Sequence, residues 1–135
     1  MANTTSDIGR TYEAGVEPIF NDFALESGVT IYEGAAVAID DAANTVGAFA
    51  VTDTFAGFAI SKAVHGTQTH VKVRSRGIVK LTTDGTPDVG DAVYASDDQT
   101  FTQTAGSDKK IGIVHRVVSG TSVMVYFEAE SLRSV

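Results

Sequence analysis

The sequence predicts an all-β fold, a small barrel or sandwich, and three observations carry that expectation. A pattern of strand and turn residues occurs twice, about 56 residues apart. Its first copy reads Gly34-Ala35-Ala36-Val37-Ala38-Ile39-Asp40-Asp41, then Ala56-Gly57-Phe58-Ala59, Gly66-Thr67 and Val71-Lys72-Val73. The second reads Gly90-Asp91-Ala92-Val93-Tyr94-Ala95-Ser96-Asp97-Asp98, then Ile111-Gly112-Ile113-Val114, Gly120-Thr121 and Val123-Met124-Val125. The glycines fall 23 and then 9 residues apart in one copy, 22 and then 8 in the other, so one β unit has been used twice. From Gly28 onward, short apolar runs are separated by Gly, Asp, Asn and Thr, which is strand-and-turn punctuation. No helix of three turns is convincing, and turns recurring roughly every 8 to 12 residues suit a small barrel or sandwich.

Taken in order, residues 1–27 lie outside the repeat and read as an extended N-terminal arm carrying Ile8, Tyr12, Val16, Ile19, Phe20 and Phe23. Pro18 removes a backbone donor and biases Glu17 toward an extended conformation, which disfavours a helix across 16–25. Residues 28–135 form one β domain whose two units span about 34–82 and 90–128. Candidate strands are 29–32, 35–39, 48–52, 57–63, 70–76, 78–82, 92–95, 100–103, 109–118 and 122–128. Alternation is clearest in Val71-Lys72-Val73-Arg74-Ser75-Arg76, where period two sends the cations to one face. Gly85-Thr86-Pro87-Asp88-Val89-Gly90-Asp91 is a turn cluster joining the units.

Composition narrows the function classes. A chain of 135 residues that is 43% hydrophobic suits one domain with a real core, filled largely by Ala and Val. A net charge of -7 argues against a nucleic-acid or anionic-membrane partner, because both need a dense cationic surface. There is no Cys, so no disulfide or thiolate site exists, and stability must come from the core or from oligomerisation. The N-terminus has neither the basic start nor the apolar run of a secretory signal, and no stretch approaches the roughly 18 apolar residues of a membrane helix. A soluble protein made in a cytoplasm is expected.

Few residues suggest chemistry. His65, His70 and His115 have no neighbours at metal-ligand spacing and read as strand and turn residues. The doublets Asp40-Asp41 and Asp97-Asp98 follow a strand in each copy, where Asp side chains bond their own backbone. Calcium would need more oxygen ligands than a doublet supplies, and the loops lack an Asp-x-Asp-x-Asp-Gly string. No Gly-x-Ser-x-Gly or phosphate-binding loop appears. Asp53, Glu33 and Asp91 could supply a carboxylate pair, as any acidic β protein could. No catalytic residue, metal or cofactor is therefore assigned. Lys72, Arg74, Arg76 and Lys80 place four of the ten Lys and Arg within nine residues. They read either as a solvated strand face guarding a sheet edge or as a docking face for an acidic protein surface.

The succession Val89-Gly90-Asp91-Ala92-Val93-Tyr94, Ile111-Gly112-Ile113-Val114 and Gly120-Thr121-Ser122-Val123-Met124-Val125, with Gly57-Phe58-Ala59, Gly66 and residues 71–77, resembles the capsid cement, or head decoration, proteins of tailed bacteriophages. The resemblance covers about residues 28–128 and rests on the order, duplication and length of individually weak motifs. It implies a small β-barrel or β-tulip that binds the outer surface of an icosahedral head and stiffens it without catalysis. It also implies the major capsid protein as partner, a homo-oligomer with a trimer ahead of a dimer, and a place on the virion. The apolar arm fits that picture as a segment buried on a partner, since an exposed run of such residues is a liability on a free monomer. Extended, it reaches at most about 90 Å. The arm is expected to point outward and to share the interface with the cationic strand, the alternative being that it packs back on its own barrel as an edge strand. A free-standing β module that binds carbohydrate is the alternative, although such sites present aromatic platforms and this chain has no Trp.

Overall fold

The computed structural model describes residues 3–40 and 44–130. Asp41 of the first Asp doublet, the first two residues of the arm and the last five of the domain lie outside them. Twelve strands occur among the described residues: β1 (Tyr12–Glu13), β2 (Ile19–Ala24), β3 (Thr30–Ile31), β4 (Ala36–Asp40), β5 (Thr45–Ala48), β6 (Thr54–Ala59), β7 (Ala63–Val64), β8 (His70–Thr82), β9 (Ala92–Ala95), β10 (Phe101–Thr102), β11 (Lys109–Ser119) and β12 (Ser122–Glu128). Ten of them form one strongly curled, half-barrel sheet in the order β10-β9-β11-β12-β8-β6-β4-β5, with β1 and β2 also paired to β8. Strands β3 and β7 make a separate ribbon. The fold is all-β and barrel-like, as the sequence predicts.

The duplication is visible bond by bond. Val37 sits opposite Gly57 in the β4–β6 pair, and Val93 sits opposite Gly112 in the β9–β11 pair. Each pair carries a register shift at the same place, leaving Ala56 extra in one unit and Ile111 extra in the other. Three backbone bonds also recur. Gly34 N–H donates to Ala59 O at 2.8 Å and Gly90 N–H to Val114 O at 2.9 Å; Ala59 N–H donates to Ala35 O at 3.0 Å and Val114 N–H to Asp91 O at 2.8 Å. Ala35 N–H reaches Tyr32 O at 3.1 Å and Asp91 N–H reaches Asp88 O at 3.0 Å. Gly57 and Gly112 are required at the bulges: a Cβ on Gly57 would overlap the Arg74 carbonyl oxygen, and one on Gly112 the Tyr126 carbonyl oxygen.

Two cores lie on opposite faces of β4 and β6. The main core gathers Phe49, Phe55, Phe58, Phe101 and Phe127 with Val79, Leu81, Val93, Ile111, Val123 and Val125. Its rings meet edge-on, Phe58 and Phe127 with centroids 4.9 Å apart at 80°. The smaller core sets Ala35, Val37, Ala56 and Ala59 against Leu25, Ile31, Val71 and Val73. Strand β4 thus sends Ala36 and Ala38 to one core and Val37 and Ile39 to the other, which explains its unbroken run of apolar residues.

Strand β8 passes between the cores. Residues 70–76 and 78–82, expected as two strands, form one strand of 13 residues. In β8, Ile19 pairs with Arg76 and Phe20 with Arg74, so Ser75 is left over as a bulge residue. Val71 and Val73 before it belong to the smaller core, Val79 and Leu81 after it to the main core. The strand expected at 48–52 lies earlier, at Thr45–Ala48, because Asn44 with φ of 57° turns the chain directly after β4.

Of the two placements expected for the arm, the structure shows the inward one, as an edge strand on its own barrel. Strand β2 pairs antiparallel with β8 from Ile19–Arg76 to Ala24–His70, and β1 pairs Tyr12 with Val79. The reason is the open, cationic edge of β8, whose unpaired main-chain groups an extended segment satisfies; the long intervening chain adds little further cost, because closure entropy grows only slowly with loop length. Before β1, Ile8 N–H donates to Glu33 O at 2.7 Å and Thr4 N–H to Asp98 Oδ1 at 2.8 Å, so the arm follows the barrel from its first described turn.

Candidate partner-docking surface

The arm and β8 bring most of the sequence-expected interface residues together, but as an internal contact. The Arg74 guanidinium lies 4.1 Å from the Tyr12 ring centroid and 5.4 Å from that of Phe20. A cation held between two ring faces fastens the arm to β8. Tyr12 also packs against the main core, and burial raises its phenol pKa. Phe23 packs on the smaller core, whereas Phe20 remains 46% exposed. Ile8, Val16 and Ile19 are half-buried. Between β1 and β2 the chain leaves β8 and returns, and this loop with Tyr12 and Arg74 lines an open groove of about 570 Å³.

The cationic stripe does not share one face. Arg74 pairs with Phe58 of the main core, while after the Ser75 bulge it is Gly77, Val79 and Leu81 that face that core. Lys72 and Arg74 therefore lie on one side of β8, and Arg76 and Lys80 on the other. Arg76 Nε donates to Tyr126 Oη at 3.3 Å and lies 3.4 Å from Glu128 Oε2. The hydrogen bond to Tyr126 raises its pKa further. Lys72 and Lys80 are exposed.

Other groups carry weight that sequence reasoning missed. Arg10 enters the barrel mouth, its guanidinium 5.6 Å from the Phe58 ring and 5.4 Å from the Phe101 ring, with Nε donating to Gly34 O at 2.9 Å. Burial lowers its pKa. A lone Arg in a polar run gives no signal of this role. Asp97 Oδ1 accepts from Gln99 N–H at 2.9 Å and Thr100 N–H at 2.8 Å, the turn chemistry expected of the doublet. Burial pushes the Asp98 carboxyl up to about 6 while Thr4 N–H bonds it. Among the described residues, no three His, Cys, Asp or Glu are grouped to hold a metal. His65, His70 and His115 are exposed.

A second surface lies on β11 and the turn beside it. Four of the five most exposed large apolar side chains are there: Val89 at 69%, Val118 at 40%, Ile113 at 39% and Val117 at 37%. A shallow apolar cleft of about 150 Å³ opens between Ile113 and Tyr126. A polar groove of about 630 Å³ runs past Thr83, Asp84, Gln99 and Thr102, where Asp84 accepts from Thr102 Oγ1 at 2.6 Å and Gln103 N–H at 2.9 Å. These bonds lower the Asp84 pKa. The aromatic residue lining this groove, Phe101, is only 5% exposed and offers a sugar no platform.

The fold and this surface define a β-barrel-like protein with an arm closed on its own sheet and exposed apolar side chains along β11. Compared with known proteins, the chain matches no protein-family model and no curated protein.

Proposed function

We propose that this protein is a virion structural protein, a capsid cement subunit that seats on the outer surface of an icosahedral phage head and stabilises it. The observation that carries this reading is the twice-used β unit, whose turns, bulges and backbone bonds recur at the motifs that resemble the decoration proteins. The exposed Val89, Ile113, Val117 and Val118 support it, because large apolar side chains gathered on one strand and its neighbouring turn suit burial against a protein partner. The partner is the major capsid protein, with a homotrimer ahead of a dimer on the shell. Since the arm is held on β8, the uncovered second unit rather than the arm is the contacting region.

The test is cosedimentation with assembled head shells that lack a decoration protein. Saturable binding at a fixed ratio to the shell subunit, with shells that then resist heat or denaturant better, supports the reading. A protein that stays in the supernatant at concentrations well above micromolar, and that instead is retained on a glycan array, contradicts it.

A further inference from the structure

The two strands of the arm are seated on β8 in different ways. Strand β2 is tied by six register pairs, Phe23 packs on the smaller core, and Asn21 Nδ2 donates to Ser75 Oγ at 3.0 Å. Strand β1 has two register pairs, Tyr12 with Val79 and Glu13 with Ile78, beside one bond from Lys80 N–H to Thr11 O at 2.9 Å.

The side chains around β1 are polar and incompletely paired. Arg10 Nη2, Tyr12 Oη, Glu13 Oε2 and Arg74 Nε are four of the six buried side-chain polar atoms without a hydrogen-bond partner among the described residues, and no residue of β2 contributes one. A buried donor or acceptor left unmet carries its full desolvation cost, larger when the group is charged, so four in one seam call for an occupant. All four residues line one of two hollows that share Tyr12. Arg10 and Tyr12 border a recess of about 60 Å³ with Glu33 and Gly34 among its walls, and Tyr12, Glu13 and Arg74 border the open groove beside residues 14–18. The phenol feels the same neighbours: burial raises its pKa, Arg74 and Arg10 act to lower it, and Glu33 acts to raise it.

The chemistry of the set selects the occupant. The two guanidiniums only donate, the carboxylates of Glu13 and Glu33 only accept, and the Tyr12 hydroxyl does both. An anion would be opposed by the carboxylates and a cation by the guanidiniums, whereas a neutral molecule that donates and accepts suits every group. The recess has room for about two water molecules at about 30 Å³ each, and not for a larger solute.

We infer that β1 is seated on the first unit through ordered water, with a hydration site in the recess where water accepts from Arg10 Nη2 and joins Tyr12 Oη to the wall at Glu33. Such bridges are nearly as favourable as direct hydrogen bonds, at a modest cost in water mobility. They complement the packing of the Tyr12 ring on the main core and fasten a strand that has few main-chain bonds of its own. The inference concerns the free protein and stands apart from the decoration reading.

The test combines a high-resolution crystal structure of the full-length protein with the variant Tyr12→Phe. Ordered water within about 3.2 Å of both Arg10 Nη2 and Tyr12 Oη is expected. Tyr12→Phe keeps the ring that Arg74 stacks on and removes only the hydroxyl. If water satisfies that hydroxyl, the variant loses a hydrogen bond, and its folding equilibrium constant should fall about two- to tenfold in urea unfolding. A dry, unpaired hydroxyl gives the opposite sign, because deleting it relieves a buried polar group. A variant as stable as wild type, or more so, would overturn the inference. So would a crystal in which Arg10 Nη2 and Tyr12 Oη bond each other or Glu33 directly, with no water between them.

Discussion

The two β units share a scaffold and differ in what covers it. In the first, β6 is buried along nearly its whole length because the main core lies on one side and Leu25, Ile31 and Val71 lie on the other. In the second, β11 alternates and then becomes wholly exposed. Phe58 and Ile113 occupy equivalent positions one residue after the bulge glycine, yet Phe58 is fully buried and Ile113 is 39% exposed. Repeated backbone geometry therefore needs only the glycine, the bulge and the turn, while the side chains are free to specialise. In one copy the bulged strand is buried on both faces, and in the other its end is left exposed.

That contrast can be broken most forcefully at the equivalent pair. Phe58→Ala removes a ring that meets Phe55, Phe101 and Phe127, and should cost about 3 to 5 kcal/mol in urea unfolding. Ile113→Ala should stay within about 0.5 kcal/mol of wild type, as expected for a surface site. Equal losses would mean that the second unit is as buried as the first.

The bulge glycines should behave alike where their neighbours do not. Gly57→Ala and Gly112→Ala each drive a Cβ into a strand carbonyl, and each should cost about 3 kcal/mol through forced backbone movement. If one is tolerated in a chemical denaturation series, the repeated bulge is incidental in that unit.

A smaller effect sharpens the role of the arm. The folded protein holds the Asp98 proton more tightly than the unfolded chain, because burial raises its pKa to about 6 from the usual carboxylate range. The stability this proton contributes is complete below about pH 4, the unfolded value, and is lost as pH rises through 6. Asp98→Asn should therefore match wild type near pH 4 and exceed it at pH 7 by about 1 kcal/mol, after allowance for solvent screening. Thermal midpoints across that range check the sign. A variant that is weaker at pH 7 would show that the bond from Thr4 outweighs the burial of the charge.

How far the sequence reveals this molecule depends on whether a feature is local. The glycine spacing discloses the duplication because a close backbone approach admits no other residue, and eight of the twelve strands among the described residues follow from apolar runs between turns. The cationic stripe was legible as residues but not as a surface: one bulge at Ser75 splits it between two faces, and nothing in Val73-Arg74-Ser75-Arg76 announces a bulge. The arm was legible as extended and apolar, yet its destination depends on an edge some fifty residues away in the chain. Arg10 at the barrel mouth gave no signal, since stacking on Phe58 and Phe101 arises only once three distant segments meet. The exposed end of β11 was hidden for the opposite reason, as Val117 and Val118 read as ordinary strand interior.

The central claim is that the arm closes the edge of β8 in the first unit and that the exposed end of β11 in the second unit meets the partner. Amide hydrogen exchange of the full-length protein, free and bound to undecorated head shells, tests it most directly. In the free protein, amides of residues 19–24 and 70–76 should exchange slowly and those of 115–119 should include rapidly exchanging ones. On the shell, residues 115–119 should slow markedly while the arm stays unchanged. Protection that leaves 115–119 untouched and instead appears with loosening of residues 19–24 from β8 would contradict the account and return the arm to the role of tether.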